Sequence, residues 1–428
     1  MNLNESVRHV IDKIENSGYK AYIAGATVRE LLMSETPVAY VIATNAPTTA
    51  IKHLFRKCFD NKMRVNSVTV IENKTACNIF CTSNDEDISD LFKSFDFTIN
   101  SMGISDNGIT DYYGGMEDIS AKRINFTNAS QQTFSDKPIR ILRAFRYVAW
   151  LNFKLSPHAK LDIQKYGVLI KKAQGDKIRE ELDKILMSDN TEVFMQMNEL
   201  GLLKHILPEL DICFSVPQKN KYHIYNVGEH IIHAVMTTPD DPVIRWAALL
   251  HDIGKPICKS TDSNGIIHFY GHHKESVRLA TEILRRLRVD GSLSKDILTL
   301  IENHDVRIEP TPQGVKRMMM RTGGELFPKL LTLQEADNKA KNMKYFQDKL
   351  NKLNEIRRIY QKIIAERHPY KISDLAINGR DLNKLGFRAG HEIGDTLLKL
   401  LEEVLIDPGL NTREYLIMRA RLHKKKRG

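Results

Sequence analysis

Residues 21–46 read AYIAGATVRELLMSETPVAYVIATNA, and this stretch decides the fold of the N-terminal part. Its first residues, AYIA, are a short apolar run that ends at Gly25, which is typical of a β-strand. TVRELLM (27–33) follows with the apolar spacing of a helix, and AYVIAT (39–44) is a second run suited to a strand. Strand, helix and strand in succession predict an α/β domain.

The regions around this stretch extend the pattern. Residues 6–17 place apolar side chains on one face of a helix, and SVTVIE (67–72) and the weaker NIFCT (78–82) have the composition of strands. From residue 138 onward amphipathic helices dominate, as in PIRILRAFRYVAWL (138–151) and TEVFMQMNELGLLKHIL (191–207). The predicted fold class is therefore α+β, with a small α/β head followed by an all-helical remainder.

Length and composition limit the class of protein. The 428 residues suggest two to four domains, and 42% hydrophobic with 27% charged residues is ordinary for a globular chain. No apolar run approaches the ~20 residues of a membrane span, and no secretory signal is evident, so we expect a cytoplasmic protein. A net charge of +10 suits either a nucleic-acid partner or a generally basic surface.

Four separated segments carry a family resemblance. They are residues 21–46, FDFTINSMG (95–103) with DYYGGMEDI (111–119), KPIRILRAFRY (137–147) and SDLAINGRDLNKLGFRAGHEIG (373–394). Together they resemble the bacterial tRNA nucleotidyltransferase and poly(A) polymerase family, of the CCA-adding, class II type. The resemblance implies that the head is a nucleotidyltransferase-like domain and that the partner is RNA, with the acceptor end of tRNA as the expected target.

The family's transferase chemistry needs two carboxylates two residues apart on one face of a strand, where they hold two metal ions. The matching positions are Ala39 and Val41, and the third carboxylate position aligns with Ala76. None of these side chains binds a metal, so the resemblance implies an inactive transferase centre. The alternative is a shifted register with real carboxylates nearby. The candidates for it are Glu30, Glu35, Asp60, Asp85 and Asp87.

Other positions of the family pattern have also changed. The arginine pair before the Asp-Phe-Thr-Ile-Asn segment is replaced by Ser94 and Phe95. The aspartate that reads the incoming base is replaced by Lys137, whose ammonium group cannot accept a hydrogen bond. The nucleotide- or RNA-binding residues implied by the resemblance are Gly25, Arg29, Asn100, Arg140, Arg143 and Arg146. For the last three, an ion-paired helix face is an equal alternative.

A second constellation lies between residues 222 and 305. His251-Asp252 follows the apolar run WAALL, and His304-Asp305 ends a predicted helix. This order of histidines and aspartates resembles the HD-domain metal-dependent phosphohydrolases. The implied metal ligands are His230, His251, Asp252 and Asp305, with His272 and His273 for a second ion or for phosphate contact. The implied catalytic residues are His251, Asp252 and Lys255, the last to neutralise a substrate phosphate.

Imidazole and carboxylate ligands suit a divalent metal, with Mn, Ni, Co, Fe or Mg as the expected ion. The predicted domains are a head (1–130), a helical neck (131–215), an HD domain (222–340) and an RNA-binding helical body (341–428). We therefore expect an RNA-binding protein whose HD site hydrolyses RNA-end phosphoesters such as a 2′,3′-cyclic phosphate. Three alternatives stay open: an active CCA-adding or poly(A)-adding enzyme, a non-catalytic RNA-binding protein with a structural metal, and a hydrolase of free signalling nucleotides.

Overall fold

The computed structural model of the chain describes residues 4–61, 66–82, 88–218 and 224–425. The chain forms two compact units, Met1–Ile206 and Leu207–Gly428. The predicted α+β class is confirmed, because strands concentrate in the first unit and helices dominate the rest. Asp85 and Asp87 of the register-shift alternative lie outside the described residues.

The described residues of the first unit contain a seven-stranded sheet. Its strands are β1 (Ala21–Ala24), β2 (Tyr40–Thr44), β3 (Cys58–Asp60), β4 (Ser67–Glu72), β5 (Thr75–Cys81), β6 (Met102–Ser105) and β7 (Gly108–Asp111). The spatial order is β3-β4-β5-β2-β1-β6-β7. Only the β2–β5 pair is parallel within this described sheet, and its register sets Val41 beside Asn78.

Helices cover the sheet and continue beyond it. They are α1 (Glu5–Glu15), α2 (Ala26–Leu32), α3 (Thr48–Leu54), α4 (Ile88–Lys93), α5 (Gly115–Ser120), α6 (Gln131–Asp136), α7 (Ile139–Leu151), α8 (Pro157–Tyr166), α9 (Gly175–Leu186), α10 (Val193–Glu199) and α11 (Leu203–Ile206). Two-residue strands β8 (Arg123–Ile124) and β9 (Lys154–Leu155) pair in parallel, and 3-10 turns cover Thr98–Asn100 and Gly167–Lys172. Helix α1 buries Val7, Val10 and Ile14 in the same core as Ile23 of β1 and Ile42 of β2.

The second unit is built mainly from helices. They are α12 (Pro208–Cys213), α13 (Val227–Met236), α14 (Pro242–Leu250), α15 (Lys255–Cys258), α16 (His272–Arg286), α17 (Gly291–Asn303), α18 (Pro312–Thr322), α19 (Phe327–Lys339), α20 (Phe346–Ala365), α21 (Gly379–Lys384), α22 (His391–Ile406) and α23 (Arg413–Lys425). Short 3-10 turns cover Met343–Tyr345, Ile372–Asp374 and Pro408–Leu410. The hairpin of β10 (Ser260–Thr261) and β11 (Ile267–His268) is an exception to the all-helical expectation.

Two differences from the predicted elements have local causes. The helical pattern of residues 191–207 is two helices, because Gly201 adopts a left-handed backbone with φ of 70° between α10 and α11. The strands β3, β6 and β7 are three or four residues long, which is too short for an alternating pattern to show.

No helix of the described residues is both long and apolar enough to cross a membrane.

A glycine pair joins β7 to α5 and fixes the turn there. Gly114 has a φ of 74°, a left-handed conformation that glycine adopts without strain. A Cβ atom on Gly115 would lie 2.3 Å from the carbonyl oxygen of Thr98 and 2.8 Å from the sulfur of Met102. Helix α5 therefore approaches the turn at Thr98 too closely for any side chain at position 115.

We expect Gly115→Ala to destabilise the first unit by about 1–3 kcal/mol, the usual cost of forcing extra atoms into a packed core. The matched control is Gly167→Ala, whose Cβ would meet only Leu202 at an ordinary 3.7 Å. Urea unfolding followed by circular dichroism measures both free energies. Equal stability of the two variants would contradict the close approach.

Candidate functional site

A buried helix carries the first histidine–aspartate pair into the interior of the second unit. Helix α14 starts after Asp241, whose carboxylate accepts hydrogen bonds from the N–H groups of Val243 and Ile244. All side chains from residue 243 to 250 are buried, so the helix runs through the core. The helix therefore ends inside the protein, and His251 and Asp252 are 0% and 1% exposed.

The first cluster contains His230 from α13, His251, Asp252 and Asp337 from α19, and their ligand atoms all lie within 4.8 Å of one another. Asp252 Oδ2 is 3.3 Å from Nε2 of His230 and 3.2 Å from Nε2 of His251. Asp337 Oδ1 is 3.0 Å and 3.6 Å from the same two nitrogen atoms. Two imidazoles and two carboxylates thus converge from three helices.

The second cluster shares Asp252 and adds two histidines. Its other oxygen, Oδ1, is 3.2 Å from Nε2 of His272 and 3.6 Å from Nε2 of His304. The two histidine Nε2 atoms are 3.3 Å apart. Asp252 therefore lies between the clusters with one oxygen directed to each, as a bridging carboxylate would in a two-metal site.

Backbone carbonyls fix the tautomer of these histidines. His251, His272 and His304 each direct Nδ1 at the carbonyl oxygen three residues earlier, at 2.7, 2.9 and 2.7 Å. His230 directs Nδ1 at the carbonyl of Ala340, at 3.2 Å. A carbonyl oxygen can only accept, so each Nδ1 carries the proton, and a neutral ring then has a lone pair on Nε2.

Where the rings are neutral, these lone pairs face one another and the carboxylates, so a proton or a metal ion between them is needed to relieve the repulsion. Among the described residues, Nε2 of His251 and Oδ2 of Asp252 make no hydrogen bond of acceptable geometry. Ligands bound at ~2.0–2.2 Å in a tetrahedral site lie about 3.3–3.6 Å apart. The separations given above run from 3.0 to 3.6 Å, close to that range. The donor set therefore fits one or two divalent metal ions.

The charge states suit a metal as well. Burial would raise the pKa of Asp252, but the charges of His251 and Lys255 hold it well below its usual value. Burial also opposes ionisation of Asp337, yet Lys341 and His230 keep the pKa of that carboxyl well below its usual value. Both acids are therefore ionised. Burial lowers the pKa of the His304 imidazole, which favours the neutral, ligating form.

The pKa of the His251 imidazole shifts in the opposite direction. Burial lowers its pKa, but the neighbouring Asp252 carboxylate outweighs that effect and raises the pKa to about 9. A proton on this ring partly offsets the two buried carboxylates. A divalent cation would supply the same compensation more completely, so metal binding there would release a proton.

The structure places the other predicted HD residues around this centre. Lys255 is buried, with Nζ 2.6 Å from Asp252 Oδ2 and 2.8 Å from Oε1 of Gln218. Asp305 lies at the rim, where its carboxylate is 3.6 Å from Nδ1 of His273 and 4.0 Å from Nε2 of His272. No potential metal-ligand group of three found among the described residues includes Asp305 or His273.

Sequence reasoning missed two members of the clusters. It chose Asp305 instead of the adjacent His304, and it did not consider Asp337. Asp337 lies seven residues after Leu330 on the buried stripe of α19, together with Gln334. An ionisable residue on an otherwise apolar helix face is the indication that could have identified it.

The head contains a separate cavity of about 560 Å³ at the end of β2. Val41 of β2 and its partner Asn78 of β5 both line this cavity. Lys137 lines it as well. Ala76, the predicted third carboxylate position, is exposed and pairs with Ile71 of β4, so Asn78 is the residue beside Val41. Ala39 is exposed, and its carbonyl accepts a hydrogen bond from Thr27.

Apolar side chains fill the space beside Gly25. A Cβ atom on this residue would lie 3.0 Å from Phe95 and 3.4 Å from Val41. Phe95 also packs against Phe80 and Phe92, with ring centroids 5.8 and 6.5 Å apart. The backbone of Gly25 is thus covered by apolar side chains at the site where the resemblance implied nucleotide contact.

The remaining predicted binding residues take part in ion pairs or hydrogen bonds. Arg29 is buried and donates a hydrogen bond to Asn100 at 2.7 Å. Arg140 and Arg143 both pair with Asp96 at 2.6 Å. Arg146 pairs with Glu181 at 2.6 Å and lies over the Tyr147 ring. These contacts match the ion-paired alternative for the helix face, although Arg143 also lines the cavity.

Comparison with known families identifies the same two regions. The model described as "Poly A polymerase head domain" matches residues 21–125, and the one described as "HD domain" matches residues 221–342. Between them, "Probable RNA and SrmB- binding site of polymerase A" matches residues 152–213. One chain therefore contains a segment that matches the poly(A) polymerase head domain and a segment that matches the HD domain.

Curated relatives agree with this assignment. The A-adding tRNA nucleotidyltransferase of Deinococcus radiodurans is 31% identical over 265 residues, which cover 59% of this chain and 60% of that protein. The Multifunctional CCA protein of Chromobacterium violaceum is 29% identical over 255 residues, covering 56% and 60%. The chain thus spans about 60% of the length of both relatives. Over these stretches the chain is similar to tRNA nucleotidyltransferases and CCA-adding proteins.

Solved structures share the fold along nearly the whole chain. The CCA-adding enzyme of Bacillus stearothermophilus in complex with CTP gives a TM-score of 0.69 at 20% identity, covering 99% of this chain and 98% of that one. The Thermotoga maritima CCA-adding enzyme complexed with tRNA gives 0.59 at 17% identity, covering 97% and 94%. At these identities the likeness establishes the fold.

We expect His251→Ala to weaken metal binding by at least about tenfold, because it removes a direct ligand and even second-shell changes cost 10- to 100-fold. The matched control is His233→Ala, since His233 stacks on Tyr225 and belongs to neither cluster. Isothermal titration of the chelator-treated protein with Mn²⁺ or Ni²⁺ measures both affinities. Unchanged affinity in His251→Ala would show that these histidines have a structural role and do not bind the metal.

Proposed function

We propose that this protein is a metal-dependent phosphohydrolase that acts through its HD site on a phosphoester at the end of an RNA. A 2′,3′-cyclic phosphate or a 2′-phosphate is the preferred group. The observation that carries the proposal is the convergence of four histidine Nε2 atoms on the two oxygens of Asp252. No transferase chemistry of the head requires such a set.

The donor set favours some ions over others. Mixed imidazole and carboxylate ligands suit Mn²⁺, Fe²⁺, Co²⁺ or Ni²⁺, whereas Mg²⁺ prefers ligands that are all oxygen. Bound ions would lower the pKa of water and polarise the phosphoester. His230, His251, Asp252 and Asp337 would hold one ion, and Asp252, His272 and His304 would hold the other.

The protein's own side chains prepare this site. Lys255 and Lys341 pair with Asp252 and Asp337 at 2.6 and 2.5 Å, which holds both carboxylates in place and ionised. The adjoining cavity of about 380 Å³ is open to solvent on the side of His273 and Asp305. That volume admits a nucleotide-sized phosphoester. His251, Asp252 and Lys255 are the proposed catalytic residues, and Lys255 would neutralise a substrate phosphate.

An RNA substrate is supported by three observations. The chain carries a net charge of +10, which favours a polyanion. A family model for RNA binding matches residues 152–213. A solved structure of the same fold, the Thermotoga maritima enzyme, holds tRNA. We therefore propose the acceptor end of tRNA as the partner.

The head supports RNA binding but not nucleotidyl transfer in this proposal. Val41 occupies the cavity position where a metal-binding carboxylate is required, and neither Ala39 nor Ala76 supplies one. Asp96 also lines the cavity, and both of its oxygens are paired with arginines. Two metal ions would have no adequate ligand set there.

A second candidate function is nucleotidyl transfer, which the names of the relatives favour. The A-adding and multifunctional CCA proteins are 31% and 29% identical to this chain over 265 and 255 residues. The open cavity beside Val41 is large enough for a nucleotide. An assay of both activities separates the two candidates.

We expect the purified protein to hydrolyse a tRNA ending in a 2′,3′-cyclic phosphate when Mn²⁺, Ni²⁺ or Co²⁺ is supplied. Asp252→Asn should lower turnover by more than about a hundredfold, because one carboxylate serves both clusters. His233→Ala should retain the wild-type rate. Opening of the cyclic phosphate to a 2′- or 3′-phosphate end, by addition of water and cleavage of one ribose O–P bond, is followed on end-labelled RNA. Absence of turnover on cyclic and 2′-phosphate ends, or full activity in Asp252→Asn, would contradict the proposal.

We expect no metal-dependent incorporation of labelled CMP or AMP into tRNA that lacks its terminal residues. The physical reason is the absence of carboxylates at positions 39 and 41. The Deinococcus radiodurans A-adding relative serves as the positive control for the AMP reaction. Incorporation by this protein at a comparable rate would establish the second candidate function instead.

A further inference from the structure

Two aromatic side chains form a stacked pair at the rim of the HD cavity. The rings of His268 and Tyr270 are 5.2 Å apart between centroids, with planes only 9° from parallel. Both residues line the cavity that also contains Asp252, His272 and His304. Neither belongs to the potential metal clusters of the described residues.

The pair is held by the β10–β11 hairpin. His268 lies in β11 opposite Ser260, and its Nε2 is 2.9 Å from Oδ2 of Asp262. The same aspartate accepts backbone hydrogen bonds from Asn264 and Ile266, which closes the hairpin turn. Because Nε2 donates to Asp262, the Nδ1 atom of a neutral His268 accepts, and it lies 3.3 Å from the Tyr270 hydroxyl group. The hairpin thus orients both rings.

The fold does not require this tyrosine. Tyr270 is 76% exposed, so burial of its ring contributes little to stability. One face of the ring lies against the imidazole of His268, and most of its surface is open to solvent. An ordered, flat and exposed aromatic surface beside a phosphoester site is suited to stacking with a flat group of the substrate.

We infer that His268 and Tyr270 form a platform on which the base of the terminal nucleoside stacks while its phosphoester occupies the metal site. This inference rests on the proposed function and adds the substrate's base to it. Tyr270 is two residues before His272, so their Cα atoms are at most about 7 Å apart. That spacing suits a ribose, which separates the base of a nucleotide from its phosphate.

The chemistry defines what the platform selects. Stacking uses the π face that every base has, so the platform requires a base but does not distinguish sequences strongly. Lys255 and Lys341 lie on the metal side of the same cavity and favour the anionic part of the substrate. The ligand class is therefore a nucleoside phosphoester, and a phosphoester without a base should be a poorer substrate.

Two small substrates test this inference on the full-length, metal-loaded protein. A nucleoside 2′,3′-cyclic phosphate has a base, and glycerol 1,2-cyclic phosphate has the same reacting group without one. We expect Tyr270→Ala to raise KM for the nucleoside substrate by about 5- to 100-fold, which corresponds to the loss of one base stack. The kinetics of the glycerol substrate should not change, and Tyr270→Phe, which keeps the ring, should remain near wild type.

The outcomes separate this inference from the proposed function. Equal loss on both substrates in Tyr270→Ala, or no loss on either, overturns the platform and leaves the hydrolase intact. If the wild-type protein hydrolyses neither substrate, the hydrolase proposal fails, and equilibrium dialysis of a labelled nucleoside 2′-phosphate decides the platform. Weaker binding to Tyr270→Ala than to Tyr270→Phe then supports it. Equal binding, or no binding to any of the three proteins, overturns it.

Discussion

The buried carboxylate of Asp252 is the constraint on which the second unit depends. An isolated charge in a protein interior costs several kcal/mol, so it persists only where partners compensate it. Here the compensation comes from Lys255 and the protonated His251, and the Nε2 atoms of His230, His272 and His304 lie 3.2–3.6 Å from the same carboxylate. The helices that carry those partners must therefore either end beside Asp252 or run past it in the interior. The chemistry of one residue therefore dictates how α13, α14, α16 and α17 are arranged around it.

Contacts between distant segments hold the head together. Arg29 with Asn100, and Asp96 with Arg140 and Arg143, join residues that are more than 40 positions apart in the sequence. These contacts do not use the side chains at positions 39 and 41, so the scaffold of the head does not depend on the residues there.

The two regions of the chain contain different kinds of site. The head and the segment after it match models of a polymerase head and of an RNA-binding segment, and the HD unit contains a donor set for metal ions. In the first, the apolar side chains of Phe95 and Val41 lie against Gly25. In the second, backbone carbonyls fix the histidine tautomers so that the Nε2 atoms face the carboxylates.

Much of the fold followed from local patterns. The strands at residues 21–24 and 40–44 and the helix between them were predicted because apolar periodicity and the glycine at position 25 are local properties. The break at Gly201 and the short strands β3, β6 and β7 were missed. A left-handed glycine and strands of three or four residues leave little trace in periodicity, and neighbouring strands supply the hydrogen bonds that stabilise them.

The sequence by itself determined which chemistry is available. It contains no carboxylates at positions 39 and 41, and it contains the histidine–aspartate pairs at 251–252 and 304–305. Only the tertiary structure decided which atoms meet. His304 rather than Asp305 turns inward, because its Nδ1 reaches the carbonyl of Ile301 at the buried end of α17. Asp337 joins the cluster because α19 packs beside α13 and α14, and that contact between distant segments leaves no pattern in the sequence.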